Sequence, residues 1–147
     1  MSTARIVVLA DDLIWSTRLV GHVRAAGIEP FATRTAAGFV ARLADEDAVG
    51  AIVDLTSRAY DGLAAIAAAR DAGVPVLAVG QHDDHVLRRD ALAVGADRVL
   101  AYRKLFDDGP AAITRWLAAA RRDGAHSADR AVAAGSTDPT EQEAPVR

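Results

Sequence analysis

The chain has 147 residues, a length that sets a prior of one domain and lets a single core bury about two thirds of the unfolded surface. Hydrophobic residues make up 51% and charged residues 25%, which excludes a wholly disordered chain, and no apolar run reaches the ~18 residues of a membrane helix. A formal net charge of -3 argues against a sequence-independent nucleic-acid binder, which would carry a basic stripe. There is no cysteine, so redox and thiolate-metal roles fall away, and acids stand where a signal peptide would be cleaved. The expected setting is the cytoplasm, with proteins or small ligands as partners and neither nucleic acid nor membrane. Of the 17 basic residues only one is a lysine, Lys104.

The first predicted element is a strand at residues 5–10, followed by a helical pattern placing Trp15, Leu19, Val23 and Ala26 on one face, closed by Gly27. A second strand is expected at residues 28–32, then a helix with Ala36, Phe39, Val40 and Leu43 at i, i+3, i+4, i+7. A third strand at residues 49–55 leads to a helix carrying Leu63, Ile66, Ala67 and Arg70 and ending at Gly73. The fourth strand, residues 74–79, precedes a helix with Leu87, Ala91 and Val94 before Gly95. The fifth, residues 98–102, precedes a helix with Ile113, Trp116, Leu117 and Ala120, whose start is expected near Pro110 behind Asp107 and Asp108. Each strand is apolar on both faces, as in a sheet covered by helices on both sides. The alternation predicts a doubly wound α/β domain with a five-stranded parallel sheet over residues 1–123. Residues 124–147 are small and polar with two prolines, and are expected to form a disordered tail.

Open parallel sheets bind ligands beyond the carboxyl ends of their strands. There the first strand delivers Asp11 and Asp12, the third Asp54, the fourth Gly80, Gln81 and His82, and the fifth Tyr102, Arg103 and Lys104. Carboxylates ~5 Å apart repel by about 3 kcal/mol at an effective dielectric near 20, so a cation among them is expected. Mg²⁺ takes oxygen ligands and bridges to phosphate, which makes the edge a candidate for phosphoryl transfer onto a carboxylate. In that reading Asp54 is the nucleophile and Asp11 and Asp12 hold the metal. The backbone carbonyl of Thr56 adds a ligand, and Lys104 pairs with the incoming phosphoryl group. Simpler roles exist for the same residues. Asp12 and Asp54 are also good helix N-caps, Lys104 suits a solvated surface, and Asp83 and Asp84 cap more readily than His82 and His85 hold a metal. His22 is expected at the surface, Trp116 in the packing, and Trp15 close enough to the acids to report on them.

Residues 4 to about 123 resemble a bacterial response-regulator receiver domain, the phosphoaccepting module of two-component signalling. The marks are Asp11 and Asp12 after the first strand, Asp54 closing the third, Asp61 and Gly62 in DLTSRAYDG, then PVLAVG, AVGAD and a lysine ahead of Phe106. The resemblance implies the flavodoxin-like receiver fold, phosphorelay through Asp54 with Mg²⁺, and a histidine kinase or other signalling protein as partner. A homodimer is compatible with it, and enzymatic activity would amount at most to turnover of its own phosphoryl group at Asp54.

The departures from that pattern are specific. Gly80 stands where receivers carry Thr or Ser, Arg58 replaces a proline, and Leu105 stands where another proline would be. Tyr102 or Arg103 occupies the place of the lysine, with Lys104 one or two residues late. Counting back from Gly27, either Asp11 with Asp12 or Asp11 alone fills the metal positions. The chain reads as an atypical stand-alone receiver that accepts phosphate on Asp54 or works as a phosphorylation-independent docking module. The alternative is a flavodoxin-type small-molecule or nucleotide-binding domain, which the lack of a glycine-rich loop after the first strand opposes.

Overall fold

The computed structural model describes residues 3–135. Five strands alternate with five helices: β1 (Arg5–Leu9), α1 (Leu13–Ala25), β2 (Glu29–Thr33), α2 (Ala36–Leu43), β3 (Ala48–Asp54), α3 (Gly62–Asp71), β4 (Val76–Gly80), α4 (His85–Val94), β5 (Arg98–Ala101) and α5 (Tyr102–Gly135). The strands form one parallel sheet in the order β2-β1-β3-β4-β5. This is the doubly wound arrangement that the alternation predicted. Pro30 falls in β2, an edge strand, where the missing N–H costs no ladder bond on the open side.

The pleat divides the core in two. Ile6, Val8 and Ala10 of the first strand region point to one face, where they pack with Leu19 and Val23 of α1 and Ile113, Trp116 and Leu117 of α5. Val7 and Leu9 point to the other, against Phe39 and Leu43 of α2, Ile66 of α3 and Ala91 of α4. With few aromatics available, close approach substitutes for bulk. Gly50 in β3 lets the Trp116 ring lie against the sheet, since a Cβ there would stand 2.8 Å from Trp116 Cη2. Trp116 is thus the packing residue its helical spacing indicated.

Gly27, Gly73 and Gly95 follow α1, α3 and α4 with φ of 84°, 76° and 123°, the left-handed region expected of them as helix-ending residues. The last helix differs from expectation at its start. A helical segment begins directly after β5 at Tyr102, and the start expected near Pro110 is a kink, with Asp108 at φ -149°, ψ 34°. Proline cannot donate to the preceding turn, so the chain breaks there and restarts. Beyond residue 123 the helix continues to Gly135, and the rest of the polar stretch, 136–147, lies outside the described residues. Among the described residues no helix is long and apolar enough to cross a membrane.

Candidate functional site

The order of the strands reverses at β1, and the crevice between the carboxyl ends of β1 and β3 is where such sheets place ligands. Asp11 lies just past β1 and Asp54 is the last residue of β3. The register ambiguity at the first strand resolves by capping. The Asp12 side chain accepts the Trp15 N–H at 3.0 Å as the N-cap of α1 and is exposed. Asp11 is therefore the acid nearer the crevice, and the position before it is a buried alanine, Ala10. The Asp11 backbone carbonyl accepts from Arg34 Nη2 at 3.2 Å.

Asp54 has 0% exposure. Its Oδ1 accepts twice from Thr56, from the backbone N–H at 2.9 Å and from the hydroxyl at 2.7 Å. Its Oδ2 is buried and has no hydrogen-bond partner. Asp54 caps no helix, because α3 starts eight residues later behind Asp61, whose side chain accepts the Ala64 N–H. Thr56 turns both its N–H and its hydroxyl onto Asp54.

Two tyrosines close the crevice. The Tyr60 hydroxyl is shared between the backbone carbonyls of Asp54, at 2.5 Å, and Leu9, at 3.1 Å, so it ties the ends of β3 and β1 together. The Tyr102 hydroxyl lies 3.5 Å from Thr56 Oγ1. Burial first, then the neighbouring charges of Asp54 and Asp11, raises Tyr60 above the usual tyrosine range. Burial first, then interaction with Asp54, does the same for Tyr102. Both hydroxyls stay protonated at any physiological pH. Tyr102 stacks on Trp15, ring centroids 3.6 Å apart, and the Arg18 guanidinium lies 5.3 Å from the Trp15 centroid and 5.4 Å from that of Phe106. Trp15 sits beside the site, as expected of a reporter.

Lys104 is on the exposed side of the first turn of α5. Asp108 is held below the usual carboxylate range chiefly by its 2.8 Å hydrogen bond from Arg115, and the charge of Lys104 adds to that. The residue that α5 turns toward Asp54 is Tyr102. Gly80, at the end of β4, brings no hydroxyl. His82 and His85 flank Asp84, which caps α4 by accepting the Leu87 N–H at 2.9 Å. His22 is not at the surface: it is partly buried, with its imidazole against Gly109 at the α5 kink.

Tyr60 escaped the sequence reading. One signal was available, since it is one of two tyrosines in the chain and sits in the loop after Asp54. Its partner Leu9 is 51 residues away, beyond any local pattern.

Toward Mg²⁺ the crevice offers Asp11 together with the second carboxylate oxygens of Asp12 and Asp54. Among the described residues no three His, Cys, Asp or Glu side chains are grouped to hold a metal ion. Asp12 is engaged as a cap and one oxygen of Asp54 already carries two donors. Mg²⁺ ordinarily keeps several waters and takes only one or two carboxylates, so a site here would rest on Asp11 and Asp54.

No protein-family model and no curated protein matches the chain. Solved structures match it in fold. A response-regulator receiver domain protein from Methanospirillum hungatei superposes with a TM-score of 0.68 at 20% identity, covering 83% of this chain and 99% of that one. NtrX from Brucella abortus gives 0.73 at 21% identity, covering 86% of this chain and 29% of that one. A response regulator from Burkholderia pseudomallei, solved with a phosphorylated aspartic acid, a calcium ion and citrate, gives 0.60 at 20% identity. That match covers 67% of this chain, which spans about 59% of the Burkholderia chain. The fold is that of response-regulator receiver domains.

Proposed function

We propose, from the receiver fold, that this chain is a receiver-like signalling domain that acts by docking another protein and does not need phosphate on Asp54. The observation that carries the reading is the state of Asp54, which is 0% exposed with its Oδ1 held by two Thr56 donors. A nucleophilic carboxylate must present an oxygen to the phosphoryl donor in line, with cationic groups to receive the developing charge. Here the group beside it is the neutral Tyr102 hydroxyl, Lys104 acts on Asp108, and Gly80 offers no hydrogen bond to a phosphoryl oxygen. The partner is a histidine kinase or another signalling protein, the setting is the cytoplasm, and self-association into a homodimer is compatible with the same role.

A second reading is phosphate uptake at Asp54, and one observation favours it. Its Oδ2 is a buried acceptor without a donor, which costs about 1–3 kcal/mol unless something completes it. The docking reading is tested by tagging the chain in its own cells and quantifying the proteins that purify with it. The same partners should be recovered with wild type and with Asp54→Asn. Partners that depend on the Asp54 carboxylate would overturn it.

A further inference from the structure

We propose that the space at the carboxyl ends of β4 and β5 is a binding pocket for a small planar aromatic acid. It is a cavity of about 290 Å³, at the small end of the range of ligand sites, which suits a compound of one or two rings. The floor is bare backbone, for Gly80 and Ala101 are paired across β4 and β5 and neither fills the space. Packing does not demand glycine at position 80, since a Cβ there would meet nothing nearer than Leu55 at 3.8 Å. Trp15 and Tyr102 form an aromatic wall, already stacked on each other and so rigid enough to receive a ring at little entropic cost.

The polar lining selects the charge of the ligand. Arg103, Gln81 and His82 all bring N–H donors to the cavity, and no carboxylate lines it. Arg103 is exposed and belongs to none of the ion pairs among the described residues. A guanidinium without a partner matches a carboxylate in bidentate fashion, better than a lysine would. A ring on the aromatic wall with its acid group toward Arg103 uses both features at once. The inference rests on the reading above only in that Asp54 keeps no phosphoryl group beside this space.

The test titrates the full chain, labelled with ¹⁵N, with naphthoate, with the neutral naphthalenemethanol and with inorganic phosphate. Naphthoate should shift the amides of Gly80, Gln81 and Arg103 saturably, with a dissociation constant of about 1 mM or tighter for a ligand of this size. Arg103→Gln should weaken naphthoate about ten-fold or more, whereas Arg121→Gln, an exposed arginine on the far part of α5, should leave it unchanged. Asp54→Asn removes the buried negative charge behind Thr56 and Tyr102 and should bind naphthoate at least as tightly as wild type, which separates this site from any question of phosphate uptake. The amide spectrum itself reports whether each variant is folded. Equal binding of the neutral alcohol, binding of phosphate as tight as naphthoate, or full-strength binding by folded Arg103→Gln would each overturn the proposal.

Discussion

Replacing Asp54 by alanine and by asparagine separates a buried structural carboxylate from a solvent-facing acceptor. The wild-type Oδ1 accepts two hydrogen bonds from Thr56, at 2.9 and 2.7 Å. Bonds to a charged acceptor contribute about 1.5–3 kcal/mol each, so losing both costs about 3–6 kcal/mol, and losing the unpartnered Oδ2 returns about 1–3 of that, leaving Asp54→Ala about 3 kcal/mol less stable than wild type. Asp54→Asn keeps an oxygen for Thr56 and weakens both bonds to the neutral range, while the unpartnered Oδ2 becomes an amide NH₂ that is also unpartnered but carries no charge to desolvate. These changes nearly cancel, and Asn should lie within about 1 kcal/mol of wild type. For a chain of this length 1 kcal/mol corresponds to about 3 °C, so Ala should lower the thermal midpoint by about 10 °C and Asn by no more than about 3 °C. Circular dichroism melts and urea titrations of both variants measure this. A cycle with Thr56→Val should show that the Ala penalty is mostly shared with Thr56. An acid facing solvent at a strand end would tolerate both changes within about 0.5 kcal/mol. Finding Asp54→Ala that close to wild type would refute the reasoning.

Tyr60→Phe removes the hydroxyl that joins the Leu9 and Asp54 carbonyls and should cost about 1–2 kcal/mol, seen as a melt about 3–6 °C lower; an unchanged midpoint would show the tie is not formed. Gly50→Ala places a methyl 2.8 Å from Trp116 Cη2 and 3.0 Å from Leu117 Cδ2, and should destabilise by about 1–3 kcal/mol with a change in Trp116 fluorescence. For His22, burial and then the charge of Arg18 lower the pKa from 6.5, so the folded state binds fewer protons than the unfolded one. Its contribution is fully present above the unfolded value and is lost as pH falls through the folded one. The urea midpoint of wild type should therefore drop more than that of His22→Gln between neutral pH and pH ~5.5, and parallel curves would count against it.

The strands were legible because each is an apolar run long enough for one pass of a covered sheet, and the glycines marked helix ends through a conformation that other residues rarely adopt. Asp54 was legible as the residue that closes the third strand. Its burial was not, because that depends on Tyr60 and Tyr102 arriving from loops and a helix distant in sequence. Lys104 is a different case. Its rarity drew attention, but position beside a strand end does not decide direction. With α5 starting directly at Tyr102, the helical repeat turns Tyr102 inward and leaves Lys104 outside, near Asp108. Asp12 was read both as ligand and as cap, and the short span from Leu9 to Leu13 makes it the cap of α1, with one carboxylate oxygen accepting from Trp15.

The central claim is that Asp54 in its native surroundings does not take phosphate. The direct measurement is the intact mass of the whole chain after incubation with acetyl phosphate and millimolar Mg²⁺, alongside Asp54→Asn and a typical receiver as positive control. The account predicts that the control gains the mass of one phosphoryl group while this chain and its variant stay unmodified. A gain of one phosphoryl group by wild type that is absent from Asp54→Asn would contradict it.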